Sequence, residues 1–247
     1  MLRQARMARD RNDRDFRWRG GDVSRLEGFS DAVFGFSLTL LVVSLEVPRT
    51  FDELAGAMRQ LIAFGICFTL FIGLWERHYR FFRRFGLEDG TTLILNGALL
   101  FVVLCYVYPL KFLFTLFIEG IVFGRQTVSI EVEQTSQLFV IYGAGVAAVF
   151  LCYALLYLHA YRLRDELELD DLERAVTRAE ISRNLTMSAL GGVSALLAVL
   201  LPINLVGLAG YSYGLVGVIE TWHGRRVGRL RKRHPRNATP IDAKMEG

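Results

Sequence analysis

The sequence predicts an all-α fold, an integral membrane six-helix bundle, and three observations carry that prediction. The chain is 52% hydrophobic and yet 22% charged, with a mean hydropathy of +0.32; such values coexist only when charged and apolar residues are segregated. The apolar residues gather into six runs, 29–47, 54–75, 91–112, 137–161, 185–201 and 203–221. Each is near the ~20 residues that a helix needs to cross about 30 Å of hydrocarbon. The arginines fall in alternate segments, 1–27, 77–84, 162–183 and 225–236, while the connections between hold only Arg49, Arg59, Lys111 and Arg125. The positive-inside rule then predicts a multi-pass protein of the cell membrane with both termini cytoplasmic. One transmembrane domain, 25–222, is flanked by a cytoplasmic basic arm, 1–24, and a cytoplasmic basic tail, 223–247.

The arm mixes its arginines with Asp10, Asp13, Asp15 and Asp22 and has few apolar residues, so a loose segment is expected. Membrane lipids are its expected partner, through anionic headgroups, with topology as the plainer role. Nucleic acid is not expected, because basic residues beside membrane spans already have a reason to be there. Pro48 stops the first helix at the outer face. The second span ends in Trp75-Glu76-Arg77-His78-Tyr79 and continues as Arg80-Phe81-Phe82-Arg83-Arg84, a cluster expected at the interface with rings at headgroup level and arginines in water. The third opens with Thr91 and Thr92, carries Asn96 in its first turns and is interrupted at Pro109, with Lys111 expected to snorkel outward. The outer loop 119–136 is mildly acidic through Glu119, Glu131 and Glu133.

Beyond the fourth span, Leu163, Leu167, Leu172, Val176 and Leu185 recur at helical intervals among dense charges. They predict a cytoplasmic helical extension leading into the fifth span. The fifth and sixth spans meet at a tight outer turn, Pro202-Ile203-Asn204. Gly191, Gly192, Gly207 and Gly217, with the Gly210 and Gly214 pair, predict close helix packing. The six spans show no internal repeat, so a symmetric pore would need several subunits.

The richest chemistry sits where the first span opens, at Arg25-Leu26-Glu27-Gly28-Phe29-Ser30-Asp31. Charge at that depth is expensive and needs partners, a water-filled path, or both. Projected at helical spacing, Phe29, Phe36, Leu40, Val43 and Val47 share one apolar face with Ala32 and Thr39 at its edge. Ser30, Ser37 and Ser44 recur every seven residues as a second stripe, suited to close approach of a neighbouring helix. Arg25 and Asp31 are too far apart for a same-face pair, so each needs a partner elsewhere. Trp75, His78 and Asn96 lie at the same depth and offer an indole N–H, an imidazole and an amide. A structural network is the favoured reading over proton chemistry, and a helix facing something other than lipid makes ion permeation the leading function.

Cys67, Cys105 and Cys152 all fall inside spans with no CxxC spacing, so neither a zinc site nor a disulfide framework is expected. No nucleophile elbow, phosphate loop, HExxH or paired carboxylate occurs, so an enzyme and a cofactor are not expected. Residues 207–214 contain Gly-Tyr but no preceding Thr-Val, and a carbonyl filter is not expected there.

At Arg25-x-x-x-Phe29-Ser30-Asp31 the chain resembles the transmembrane protein 175 family, lysosomal and prokaryotic potassium channels whose hallmark is R-x-x-x-F-S-D at the start of the first span. Leu45-Glu46-Val47-Pro48, Trp75-x-x-His78 and a third span with Asn96 are also similar to it. The resemblance implies a potassium channel that assembles as a homotetramer of single six-span subunits around the first helix, with a hydrophobic constriction in place of a carbonyl filter. The constriction would fall at Phe36, Thr39 or Leu40, and Val43, and Arg25, Ser30, Asp31, Trp75, His78 and Asn96 would brace the inner helix ends. Phe36 stands where the family usually has a branched aliphatic residue, which bears on potassium preference. Two other readings stay open: a proton-coupled or other secondary transporter using Asp31, Glu46 or His78, and a channel fold that no longer conducts.

Overall fold

The computed structural model describes residues 16–43, 49–118, 120, 124, 132–202, 205, 210 and 212–233, and its regular elements there are all helical. They are α1 (Arg25–Val43), α2 (Phe51–Phe85), α3 (Gly90–Phe117), α4 (Val132–Arg162), α5 (Asp171–Leu200) and α6 (Leu215–Arg233), the last preceded by a 3-10 turn at Ser212–Gly214. Among the described residues, the four helices α2 to α5 are long and apolar enough to cross a membrane. The outer end of the first predicted span with Ser44, Glu46, Val47 and Pro48, the acidic residues Glu119 and Glu131, the Ile203-Asn204 turn and Gly207 lie outside the described residues. So does most of the predicted sixth span before its 3-10 turn; from Leu215 the helix runs on unbroken into the basic tail.

Local sequence explains the helix boundaries. Ser24 and Glu27 form a reciprocal cap on α1, each side chain accepting the other's backbone N–H at 3.1 and 3.0 Å. Thr50 accepts from the Glu53 N–H at the start of α2. At the start of α3, Asp89 accepts from the Thr91 N–H at 3.1 Å, the Thr92 hydroxyl at 2.6 Å and His159 at 2.9 Å. Burial pushes this carboxyl up, but those donors outweigh it and bring it down to about 2, so the cap is ionised at any physiological pH. Asp170 and Glu173 make a second reciprocal cap on α5. Helix α2 stops at Gly86, whose φ of 61° lies in the left-handed region that a Cβ disfavours.

Helices α4 and α5 form a long antiparallel pair around a close backbone crossing. A Cβ on Gly143 would lie 2.6 Å from the Gly191 carbonyl oxygen, and one on Gly191 would lie 2.7 Å from the Ala147 nitrogen. Nearer the basic end, the Ser188 hydroxyl donates to the Ala147 carbonyl at 2.9 Å. Gly145 serves a different purpose, since the Tyr106 ring occupies the space its side chain would fill. The glycine expectation therefore holds at Gly191 and, against the Phe139 ring, at Gly210; within the protomer, Gly192, Gly214 and Gly217 face open space.

Two expectations at the basic end of the bundle are corrected. The aromatic rings closing α2 do not face outward as an interfacial belt would: Phe81, Phe82 and Phe85 are buried in the core with Tyr157 of α4, Leu172 and Val176 of α5. At i, i+1 and i+4 these rings share one face of α2, and that face meets protein instead of lipid. Arg84 is buried as well, 3.8 Å from Glu180, which also meets Arg183 at 2.9 Å and His223 at 3.5 Å. The second correction concerns the arm. Residues 16–21 are not loose: Phe16 is buried edge-on against Phe85, and Trp18 stands edge-on to Tyr79.

Candidate functional site

The helix α1 is two-faced. Ser30, Phe34, Ser37 and Leu41, at i, i+4, i+7 and i+11, are buried against α2 and α3. The other face, through Arg25, Gly28, Phe29, Ala32, Gly35, Phe36 and Thr39, is exposed in the protomer. Both buried serines satisfy their hydroxyls within the helix, Ser30 donating to the Leu26 carbonyl and Ser37 to the Val33 carbonyl, each at 2.8 Å. They leave little side-chain bulk, so neighbouring helices lie close to the backbone.

Ser30 anchors a directional chain of hydrogen bonds. Its hydroxyl hydrogen is committed to Leu26, so its oxygen accepts from the Asn96 amide nitrogen at 2.9 Å. That places the Asn96 carbonyl oxygen toward His78, whose Nε2–H donates to it at 2.8 Å. Ser30 and Asn96 are fully buried and His78 nearly so. One residue along α1, the Asp31 carboxylate accepts from the Trp75 indole N–H at 2.7 Å. The start of α1 is thus tied to α2 twice, once directly and once through α3. Each bond uses a hydrogen that its donor has available, so the chain needs no mobile proton to be complete.

Aromatic rings hold the donors in place. Tyr79 stacks on Trp75 with centroids 5.7 Å apart, and His78 sits between Phe34 at 5.5 Å and Phe82 at 4.6 Å. Sequence reasoning did not assign these rings to the site, although Tyr79 and Phe82 lie four residues beyond Trp75 and His78 on the same helix face. The Tyr153 hydroxyl, donating to the Leu74 carbonyl at 2.6 Å from α4, had no sequence signal at all.

Arg25 stands apart from this group. It is exposed, on the same side of α1 as Phe29 and Phe36, and its side chain makes no hydrogen bond or ion pair among the described residues. Of the four proposed constriction positions, Phe36 is 58% exposed and Thr39 is exposed, its hydroxyl satisfied by the Gly35 carbonyl at 3.0 Å. Leu40 is half-buried and leans on the core. The side chain of Val43 lies outside the described residues. No cluster of three or more metal-ligating side chains occurs among the described residues.

Comparison with known proteins converges on this region and then extends beyond it. The family model described as endosomal/lysosomal potassium channel TMEM175 matches residues 25–106, which hold α1, α2 and the first half of α3. A potassium channel of Marivirga tractuosa is 39% identical over 230 residues, covering 89% of this chain and 93% of its own. A potassium channel of Chamaesiphon minutus is 31% identical over 96 residues, 36% of this chain and 47% of its own. Among solved structures, a threonine-to-alanine variant of the potassium channel MtTMEM175, in complex with a nanobody–MBP fusion protein, superimposes with a TM-score of 0.78 at 37% identity. That match covers 87% of this chain and 98% of the other. A lysosomal potassium-selective channel TMEM175 homolog from Chamaesiphon minutus shares the fold, with a TM-score of 0.50 and 22% identity over 83% of this chain and 96% of its own.

Proposed function

The chain belongs to the endosomal/lysosomal potassium channel TMEM175 family, and from that premise we propose that it forms a potassium-permeable pore in the cell membrane, built by four copies around α1. The observation that carries the proposal is the division of α1: one face is bound into the protomer through Ser30, Phe34, Ser37 and Leu41, and the other is exposed, with no partner among the described residues. Four such outward faces around an axis would enclose a path. Phe36 and Thr39 stand on that face, Leu40 is turned partly from it, and Val43 follows one turn beyond Thr39. With no carboxylate between Phe36 and Val43, the constriction is hydrophobic and gates by dewetting instead of replacing hydration with a carbonyl filter. Ser30, Asp31, Trp75, His78 and Asn96 act as braces that keep the start of α1 in place, and Arg25 is available to a neighbouring copy. The distribution of arginine supports a cytoplasmic placement of both termini, where the basic end meets anionic lipid.

Reversal potentials in planar bilayers under opposed potassium and sodium gradients test the proposal. The expected reversal lies toward the potassium equilibrium potential. Current that follows a proton gradient with a fixed potassium stoichiometry would instead favour a coupled carrier, and absence of current from tetrameric protein would reject permeation.

A further inference from the structure

Residues 16–21 form a strap across the basic end of the bundle, immediately ahead of the α1 cap. Its backbone is fixed to α2, where the amides of Arg19 and Gly20 both donate to the Arg83 carbonyl, at 3.1 and 3.2 Å. The approach is close enough that a Cβ on Gly20 would lie 2.8 Å from the Phe82 carbonyl oxygen. Arg83 reaches back from α2, donating to the Gly21 carbonyl and lying over the Trp18 ring at 5.7 Å. The side chains of the strap reach further, to the turn between α4 and α5. Arg19 donates to the Leu167 carbonyl at 2.7 Å, and both Arg17 and Arg19 donate to the Glu168 carbonyl, at 2.6 and 3.2 Å. Glu168 is held at φ 48°, a left-handed conformation unusual for a residue with a Cβ, at the point where its carbonyl takes both arginines.

At the centre is Glu173, fully buried in the first turn of α5. One carboxylate oxygen accepts from the Arg17 backbone N–H at 2.7 Å; the other accepts from the Arg19 guanidinium at 2.6 Å and the Asp170 N–H at 3.2 Å. A cap on α5 needs only the Asp170 exchange, which a glutamine performs equally. A buried carboxylate is costly unless paired, so its charge points to the strap arginines: Arg19, in contact across 154 residues of sequence, and Arg17, whose Nε lies 3.7 Å from the other carboxylate oxygen. The pair joins the chain entering α1 to α5, while α1 itself packs on α2 and α3.

We infer that Arg19 and Glu173 are positioning residues for the pore: their pair anchors the strap and through it sets the resting placement of α1, so conduction responds to two residues outside the permeation face. This rests on the reading of α1 as the pore helix. Glu173→Gln keeps the α5 cap and removes the charge; Arg19→Gln removes the other partner and leaves α5 intact; Arg19→Lys keeps the charge without the planar fork that also serves Leu167 and Glu168. Full-length protein in planar bilayers gives open probability, unitary conductance and reversal potential, and hydrogen exchange of the Arg19 and Gly20 amides reports strap release. Each glutamine variant is expected to shift open probability at least threefold in the same direction, with conductance and reversal unchanged. The double variant should fall well short of the sum of the two single effects, and Arg19→Lys should recover part of the shift. Strap amides that exchange at least tenfold faster while open probability stays within twofold of wild type would overturn the inference, as would additive effects. If the wild type carries no current, the channel reading fails separately. Exchange at residues 25–31 then decides: acceleration in both glutamine variants sustains the positioning of α1, and no change removes it.

Discussion

At the scale of single residues, the hydrogen-bond chain from His78 to Ser30 makes unequal demands on its members. Ser30 keeps its bond to Leu26 whatever happens to Asn96, but among the described residues the buried His78 Nε2–H meets only the Asn96 oxygen. Asn96→Leu therefore strands a buried donor, at about 1–3 kcal/mol, and thermal unfolding in mild detergent should register the loss. Ser37→Ala removes a hydroxyl whose one bond is to its own helix, and should cost under about 1 kcal/mol in the same assay. The two neighbours Phe36 and Ser37 fall on the exposed and the buried side of α1, which gives conduction its own contrast. Shortening Phe36 to Ala widens a dewetted constriction, and each 1.4 kcal/mol removed from the barrier is about a tenfold gain in rate. Phe36→Ala should raise potassium flux and weaken discrimination against sodium, while Ser37→Ala leaves both near wild type. Currents with the reverse pattern would put the path on the wrong face.

Elements respond to how near their backbones lie. Gly191 and Gly192 are adjacent on α5, yet an added Cβ at Gly191 meets backbone atoms of α4 at 2.7 Å and one at Gly192 meets nothing within 4 Å. Gly191→Ala should force α4 and α5 apart and cost about 1–3 kcal/mol by overpacking. Gly192→Ala should be neutral or slightly stabilising through better helix propensity. Melting temperatures of the two variants, measured side by side, separate a packing glycine from a bystander. Helix α1 invites a different comparison, because Arg25 belongs to its exposed face and Asp31 is tied to Trp75. Arg25→Ala should leave the protomer's melting behaviour intact and weaken assembly, whereas Trp75→Phe, which keeps a ring beside Tyr79, should lower the protomer's own stability by about 1 kcal/mol. Size-exclusion profiles with thermal unfolding of each variant check both.

For the whole molecule, the open face of α1 makes assembly the central expectation. Closed symmetry is the usual arrangement of identical subunits around an axis, and four copies give a protein mass about four times 28.0 kDa, measurable by native mass spectrometry after micelle removal. A monomer that still conducts would reject a pore shared between subunits. Orientation is a second global property: reporters fused after residue 85 or after residue 233 should be cytoplasmic, since each follows a dense run of arginine.

The sequence by itself determined that this is an all-α multi-pass membrane protein, because apolar runs of bilayer length satisfy their backbone as helices with little help from context. It also carried the family, since the R-x-x-x-F-S-D motif is local and contiguous. Trp75, His78 and Asn96 could be assembled as partners for Ser30 and Asp31 because depth in a membrane, unlike position in a soluble core, can be read from distance along a span. Rotation about the helix axis was harder to read: Leu40 shares a projected face with Phe36, yet it leans on the core, and Arg25 stands away from Asp31 instead of joining its bonds. Periodicity gives relative angles on one helix, and only the neighbours decide where that helix's zero lies. The same limit hid the strap. Phe16, Trp18 and Arg19 look like solvated arm in a charged stretch, and their burial depends on Phe85, Tyr79 and Glu173, distant in sequence. Only the tertiary structure brings those groups together, since a contact between residues 154 positions apart follows from how helices pack and has no period to announce it.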